Sequence, residues 1–317
     1  MRLLAAPDKF RGTLTAREAA ASIAAGAARA GWSAVQLPLA DGGEGTLDVL
    51  GGGNRWTTVT GPLGEPVEAE WLLGDDGTAL IEAAQACGLS LAGGPARNDP
   101  LAATSRGVGE LIAAAVAEGA ARIVVAVGGV ASTDGGVGAV EALPDALPPL
   151  EVACDVDARF LEAADVFAPQ KGATPEQVAI LHERLAQLGV PDLPGAGAAG
   201  GLAGGLAAAG ARLLPGFDYV ADRLGLSVRL AEADLLVTGE GRVDATSLTG
   251  KVVGRALERA AAAGVDSLVV AGEVAAQSRI AAISLVERYG PDRAHGDTAD
   301  CLADAVEKVL ATRQNGP

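Results

Sequence analysis

Hydrophobic and polar positions come in blocks along this chain: short apolar runs end in Gly- and Asp-rich loops, and Ala-rich stretches of helical spacing follow them. At the start, the apolar run Arg2–Ala6 predicts a strand that ends at Pro7. Thr15, with Glu18 three positions later, has the pattern of a capping box, which predicts a helix to about Ala30.

The same pattern returns near the other end of the chain. Together with the first strand and Ala34–Leu39, three more predicted strands make a series of five that is typical of a doubly wound parallel sheet. These strands are Asp234–Thr238, Ser267–Ala271 and Asp292–His295, and the predicted helices are Val252–Ala263, Arg279–Tyr289 and one that begins at Asp297 or Thr298.

The middle of the chain has a different pattern. Three runs joined by Gly-Pro and Asp-Asp-Gly turns predict an antiparallel meander. The runs are Trp56–Thr60, Val67–Leu73 and Ala79–Glu82. After them we predict a helix at Gly107–Ala117, strands at Arg122–Val127 and Glu151–Cys154, and a helix with Thr174 as N-cap, Pro175 as first residue and Gln177 as reciprocal partner.

These elements predict an α/β protein with two domains. Residues 1–55 plus 216–317 would form a discontinuous domain with the doubly wound sheet, and residues 56–215 a mixed-sheet α/β domain inserted into it. The cleft between two such domains is the expected ligand site.

Composition narrows the class of protein. Of the 317 residues, 49% are apolar but only 3% are aromatic, which suits helices packed on a largely parallel sheet. The net charge of −16 argues against nucleic acid or an anionic membrane as partner.

The three cysteines, Cys87, Cys154 and Cys301, are far apart in the sequence. This spacing fits a protein of a reducing compartment and fits neither a disulfide scaffold nor a zinc site. Without a signal-peptide or membrane-spanning run, we expect a soluble cytoplasmic protein.

The chain has four lysines against twenty arginines. Lys9, Lys171 and Lys251 lie in loops flanked by glycine or proline, whereas Lys308 is expected on the surface of the last helix. A compact ammonium kept in a tight loop is a typical phosphate ligand.

The loop Asp41–Thr46 is the first group of candidate site residues. Its glycine amides can bind an anion, and carboxylates can hold Mg²⁺ beside phosphate. The alternative is an ordinary βα turn with solvated acids. The functional interpretation assigns Asp41 and Glu44 to the metal and Gly42, Gly43, Gly45 and Thr46 to the phosphate groups.

A second loop, Gly128–Gly136, follows the most apolar predicted strand. Either its Asp134 could take a proton from a substrate hydroxyl, or the loop, which begins with Gly128 and Gly129, could cradle phosphate. A helix cap with glycines for close packing is the alternative.

Two further segments are weaker candidates. Thr104 and Ser105 precede a predicted helix, so their amides and hydroxyls can bind an anion, although ordinary N-caps have this pattern too. Gly239, the second candidate, lies in the segment Thr238–Asp244, which precedes Lys251 at the start of a predicted helix. That segment is not a Walker A motif, because valine follows the lysine.

The remaining positions are less specific. Gly195–Gly205 is poor in side chains and is either a close-packed turn or a backbone surface against a ligand. Asp155 and Asp157 end a strand and either bind metal or cap a turn, with a slight preference for the metal. His182 is expected in solvent, and His295 is expected to be structural at a strand end.

Taken in order, these motifs resemble the type I glycerate kinase family. They are A-P-D-K-F-R-G-T, A-D-G-G-E-G-T, T-S-R-G-V-G-E-L, G-G-V-A-S-T-D-G-G, C-D-V, P-Q-K-G-A-T-P-E, P-G-A-G-A-A-G-G-L and T-G-E-G-R-V-D with a later G-K, from Ala6 to Lys251. The resemblance implies phosphorylation of D-glycerate, with 2-phosphoglycerate as the expected product and ATP and Mg²⁺ as cofactors. It also implies one flavodoxin- or Rossmann-like domain and one restriction-endonuclease-like domain.

The chain departs from the family pattern in two residues and in length. Arg11 replaces the family's first lysine, and Thr133 replaces the asparagine before Asp134. The excursion expected between Ala139 and Glu151 is short, which makes this a shortened member. A kinase for another small hydroxy acid, or a non-catalytic protein that binds a nucleotide or metabolite, is therefore the alternative.

The resulting hypothesis is in-line phosphoryl transfer from ATP to glycerate, a small-molecule substrate. Lys9, Arg11 and Lys251 would contact phosphates or the substrate carboxylate, and Asp134 would orient or deprotonate the attacking hydroxyl. The oligomeric state is left open, with a homodimer as one candidate.

Overall fold

The computed structural model describes residues 1–248 and 251–314, so Thr249 and Gly250 of the glycine-lysine motif lie outside the described residues. The strands are β1 (Arg2–Ala5), β2 (Ser33–Gln36), β3 (Arg55–Thr60), β4 (Pro66–Leu73), β5 (Thr78–Glu82), β6 (Arg122–Ala126), β7 (Leu150–Cys154), β8 (Arg212–Pro215), β9 (Leu235–Thr238), β10 (Arg242–Val243), β11 (Asp266–Ala271), β12 (Glu273–Val274) and β13 (Ala282–Ser284).

The helices are α1 (Ala16–Arg29), α2 (Thr46–Val49), α3 (Ala84–Cys87), α4 (Arg106–Ala117), α5 (Val137–Glu141), α6 (Ala163–Phe167), α7 (Pro175–Gln187), α8 (Leu202–Ala208), α9 (Gly216–Leu224), α10 (Leu226–Ala231), α11 (Val252–Ala263), α12 (Leu285–Tyr289), α13 (Pro291–Gly296) and α14 (Thr298–Gln314). Short 3-10 helices lie at Phe160–Glu162, Pro169–Lys171 and Ala245–Leu248.

The first compact unit comprises residues 1–41 and 220–317. Its sheet has the strand order β13-β11-β9-β1-β2, and every neighbouring pair is parallel. Ile23 of α1 and Leu302 of α14 are buried with one face of the sheet, and Val253 of α11 is buried with the other. Helices thus cover both faces, which confirms the predicted doubly wound parallel sheet.

The fifth strand of this sheet is not the one predicted from sequence. Asp292–His295 was predicted as a strand and is helical, since Pro291 is the first residue of α13. The predicted helix Arg279–Tyr289 is also wrong in its first half, where β13 pairs with β11. The Ser284 side chain accepts a hydrogen bond from the Glu287 amide at 3.2 Å, and this N-cap begins the helical part.

The second compact unit comprises residues 42–219. Its sheet has the order β3-β4-β5-β6-β7-β8, with antiparallel pairs as far as β5 and parallel pairs after it. The predicted meander and mixed sheet are therefore confirmed. The sequence prediction missed β8, a short strand whose Arg212 pairs with Glu151 of β7.

The predicted domain boundaries at residues 55/56 and 215/216 stay a prediction. In the structure, residues 42–55 pack within the second unit, because Leu47 of α2 is buried with Leu80 of β5. In the described parts of the chain, we find no helix long and apolar enough to cross a membrane.

Candidate functional site

The carboxyl ends of β1 and β9 place several predicted site residues at one edge of the first unit's sheet. These strands are parallel neighbours, so the segments that follow them lie side by side. The Asp8 amide donates to the Gly239 carbonyl at 2.9 Å, and an Asp8 carboxylate oxygen accepts from the Lys9 amide at 2.7 Å. A Cβ on Gly239 would clash with the Val270 carbonyl, so packing alone requires glycine there.

Three carboxylates near this edge interact electrostatically: Asp8, Asp41 and Glu240, which we call the acidic cluster. Burial raises the pKa of Asp8 to about 7, and the charges of Asp41 and Glu240 contribute, although the Lys9 amide and ammonium oppose the shift. Burial also raises the pKa of Glu240, against a hydrogen bond from Ser247. The carboxylates of this cluster are therefore partly desolvated and repel one another.

The acidic cluster is flanked by two of the predicted catalytic cations. Lys9 interacts electrostatically with Asp8, and Lys251 with Glu240. Lys251 is the N-cap residue of α11, and its ammonium lies 3.9 Å from an Asp244 carboxylate oxygen with the side chain 42% exposed. The structure thus brings together three predicted site residues of the first unit, Lys9, Asp41 and Lys251.

The remaining predicted cation of this unit, Arg11, has an exposed side chain. Its backbone amide lies against Gly241, where an added Cβ would come within 2.9 Å of the nitrogen. Its predicted contact with phosphate or substrate stays a prediction.

The chemistry of the acidic cluster fits a hard divalent cation. Carboxylate oxygens are the ligands that Mg²⁺ prefers. Glu240 Oε1 is buried and has no hydrogen-bond partner among the described residues, as expected of an oxygen that awaits a ligand. No group of three or more His, Cys, Asp or Glu side chains within residues 1–248 and 251–314 is already arranged around a metal position.

In the second unit, the two predicted glycine-rich loops contact each other. A Cβ on Gly128 would lie 2.9 Å from Gly43 Cα, and one on Gly129, which has a φ of 66°, would lie 3.0 Å from Glu44 Oε2. Gly42 packs more closely still, since a Cβ on it would clash with Gly216 Cα. The loops at 42–46 and 128–129 therefore form one continuous backbone surface, beside which the Glu44 carboxylate lies.

Glu82 is a residue of this surface that the sequence analysis missed. It is buried at the end of β5, and its Oε2 accepts from the amides of Gly45 and Leu47, both at 3.0 Å. The Thr46 hydroxyl beside them is buried without a hydrogen-bond partner in the described parts of the chain. One predicted phosphate-binding amide, that of Gly45, is thus held by a carboxylate of the protein itself.

Glu82→Gln is expected to lower the free energy of unfolding by about 1–3 kcal/mol, because the neutral amide weakens two buried hydrogen bonds and adds a buried NH₂ group. Urea unfolding followed by circular dichroism measures it. Glu68→Gln, at an exposed position of β4, is the matched control. Equal stability of the two variants would contradict this role of Glu82.

Asp134 binds the N-terminus of α4. Its Oδ2 accepts from the amide and the hydroxyl of Ser105, both at 2.8 Å, and from the Gly138 amide at 3.3 Å. Its Oδ1 accepts from the Gly136 amide at 3.2 Å. The Thr104 hydroxyl accepts from the Arg106 amide at 3.2 Å. The anion at this helix start is therefore a carboxylate of the chain, and the predicted ligand roles of Thr104, Ser105 and Asp134 stay predictions.

Lys171, the third of the loop lysines that the sequence suggests as phosphate ligands, instead contacts the loop that contains Asp134. It is buried, and its ammonium donates to the Ser132 carbonyl at 2.5 Å and lies 3.4 Å from the Thr133 hydroxyl. Burial lowers its pKa to about 8, although nearby Cys87 and Asp134 act in the opposite direction. Thr133 and Asp134 also line a cavity of about 320 Å³ beside α7.

Contacts within the protein account for other positions that the sequence analysis left undecided. Asp155 accepts from the amides of Gly216 and Phe217 at 2.8 and 2.6 Å, so it caps the start of α9. The segment Gly195–Gly205 is close-packed and ends inside α8, where a Cβ on Gly204 would press on the Phe160 ring. His182 was predicted in solvent and is half-buried, with its side chain 45% exposed and 3.0 Å from an Asp165 oxygen.

The fold and these residues define an α/β protein with carboxylates and ammonium groups gathered at the carboxyl edge of a parallel sheet, where such folds bind ligands. The sequence model of the glycerate kinase family matches residues 3–147 and 145–315. The chain therefore belongs to the glycerate kinase family.

Individual relatives agree with that membership. The chain is 38% identical to glycerate 2-kinase of Escherichia coli K12, over 80% of each chain. It is 44% identical to an uncharacterized protein of Mycobacterium bovis in an alignment of 355 positions that covers all of this chain and 93% of the relative. A solved structure from Salmonella typhimurium LT2, assigned as a glycerate kinase 2, superposes with a TM-score of 0.81 at 34% identity, over 100% of this chain and 99% of that one.

Proposed function

We propose that this chain phosphorylates D-glycerate with ATP and Mg²⁺ to give 2-phosphoglycerate. The names of the relatives support glycerate as the substrate, and that of the Escherichia coli relative supports the 2-position. The observation that carries the proposal is the grouping of Lys9 and Lys251 beside the acidic cluster, which contains Asp41. Phosphoryl transfer requires little more than positioned reactants and neutralised charge, and these groups supply that chemistry.

The proposal divides the site residues among three tasks. Lys9, Arg11 and Lys251 bind phosphate oxygens or the substrate carboxylate, where an ammonium or guanidinium offsets negative charge. Asp134 orients the attacking hydroxyl and accepts its proton, and its four donors hold the carboxylate in one direction. Asp41, with Glu44 as the second predicted ligand, would hold Mg²⁺, which when bound neutralises phosphate charge.

An assay of ADP release with D-glycerate, lactate, tartronate and glycolate tests the function. We expect D-glycerate to be the best acceptor, and the phosphorus NMR signal of the product to be a doublet, because one proton lies on the carbon that bears the new ester. A triplet would place the phosphate on the terminal hydroxyl instead. Thermal stabilisation by ATP and Mg²⁺ without turnover would favour a non-catalytic binding protein.

A kinase for another small hydroxy acid is the second candidate. The alignment with the Mycobacterium relative has more positions than this chain has residues, so segments of the relative have no counterpart here. Faster turnover of lactate, tartronate or glycolate than of glycerate in the same assay would support it.

A further inference from the structure

The burial of Lys171 is unusual for its charge. Its relative exposure is 5%, and among the described residues no carboxylate forms an ion pair with it. Lysine is rarely buried without such a partner, because removing an ammonium from water is costly. A fold that keeps one needs the ammonium at that place.

The contacts of Lys171 converge on the loop before Asp134. The ammonium donates to the Ser132 carbonyl and approaches the Thr133 hydroxyl, as described above. The Asn98 side-chain amide donates both to the Ala131 carbonyl at 3.2 Å and to the Lys171 carbonyl at 3.0 Å, and so ties the backbone of the lysine to the same loop.

The space around the ammonium accepts little else. A Cβ on Gly200 would clash with the Ser132 carbonyl and would lie 2.8 Å from Lys171 Nζ. The wider, planar guanidinium of arginine would need more room than the lysine Nζ occupies beside this backbone. The site is therefore shaped for a compact positive charge.

We propose that Lys171 is a positioning residue: its ammonium holds the Ser132–Asp134 segment so that the Asp134 carboxylate faces the attacking hydroxyl. The inference rests on the proposed role of Asp134 in phosphoryl transfer. Lys171 acts in two ways, through hydrogen bonds to the Ser132 and Thr133 oxygens and through the attraction of its charge for the Asp134 carboxylate.

A double-mutant cycle with Lys171→Met and Asp134→Asn tests this role, because methionine keeps the apolar stem and removes the charge. Each single variant is expected to lose about 10- to 100-fold in kcat, and the double variant to lose little more than the worse single one, since both changes remove one function. The KM for ATP should stay within about threefold of the wild type. Lys308→Met, an exposed lysine with a partner at Asp304, is the control and should be fully active.

A pH profile separates positioning from mere folding. The described titratable groups that face the ammonium are Cys87 of α3 and Asp134, and burial raises the pKa of the Cys87 thiol to about 12, so it stays neutral. The wild-type kcat should fall above about pH 8, as Lys171 loses its proton, and Lys171→Met should lack that fall. The free energy of unfolding should change in the opposite direction to kcat. Because the folded pKa is lowered from 10.5, the wild type gains stability relative to Lys171→Met as pH rises from about 8 to 10.5.

The outcomes distinguish this inference from the proposed function. Full activity of Asp134→Asn would remove the role of Asp134. An inactive Asp134→Asn beside a fully active Lys171→Met would overturn the positioning role alone, as would fully additive losses in the double variant. If Lys171→Met does not fold, Asn98→Ala loosens the same segment with the lysine intact. We then expect a severalfold loss of kcat, and an unchanged kcat would overturn the inference.

Discussion

Lys251→Ala should lower kcat by about 100-fold, the usual cost of removing one group that stabilises transition-state charge. Its effect on stability should be small. The side chain is 42% exposed, and its ion pair with Asp244 at 3.9 Å is the kind of surface contact that contributes about 0–1 kcal/mol. We therefore expect the melting temperature to change by about 2 °C or less.

Steady-state kinetics and a thermal melt on the same preparations measure both effects. Lys308→Ala is the matched control, since that ammonium also pairs with a carboxylate, that of Asp304 at 2.7 Å, and lies on α14 far along the chain. A Lys251→Ala variant with full activity would remove this residue from the mechanism. A large fall in melting temperature would show that its main contribution is structural.

Asp41→Asn should change activity and stability in opposite directions. If Asp41 holds Mg²⁺ as proposed, its loss should lower kcat at least about 100-fold and raise the Mg²⁺ concentration needed for half-maximal rate. The same change removes charge repulsion from the acidic cluster. In metal-free buffer at pH 7 the variant should therefore melt at a higher temperature than the wild type.

The raised pKa of Asp8 explains why Asp41→Asn should be more stable than the wild type. Burial and the Asp41 charge raise this pKa from 3.8 to about 7, so the folded state binds a proton more tightly than the unfolded state. The free energy of unfolding consequently falls as pH rises between these values, and it should fall less in Asp41→Asn. Asp266→Asn, at an exposed position of the same unit, should show neither effect. A variant that is less stable than the wild type at pH 7 would contradict repulsion within the cluster.

Elements with local signals could be predicted from sequence. The capping boxes at Thr15 and Thr174 formed as expected, because each joins residues only three positions apart. The meander was also predictable, because its turns are short. The prediction of a strand at Asp292–His295 failed because four residues do not distinguish a strand from a short helix. The actual fifth strand, Ala282–Ser284, depends on pairing with β11.

Local sequence patterns were sufficient to predict the parallel sheet of the first unit, the meander of the second, and the glycine-rich loops in which the candidate residues lie. The contacts of those residues, in contrast, depend on the folded chain. The Gly45 amide meets Glu82, 37 positions away, and the Ser132 carbonyl meets Lys171 at a separation of 39. Such contacts depend on which strands become neighbours and on how deeply each group is buried, and no local pattern of side chains encodes either. The raised pKa of Asp8 has the same origin, since it arises from desolvation and from carboxylates that the strand order brings to one edge.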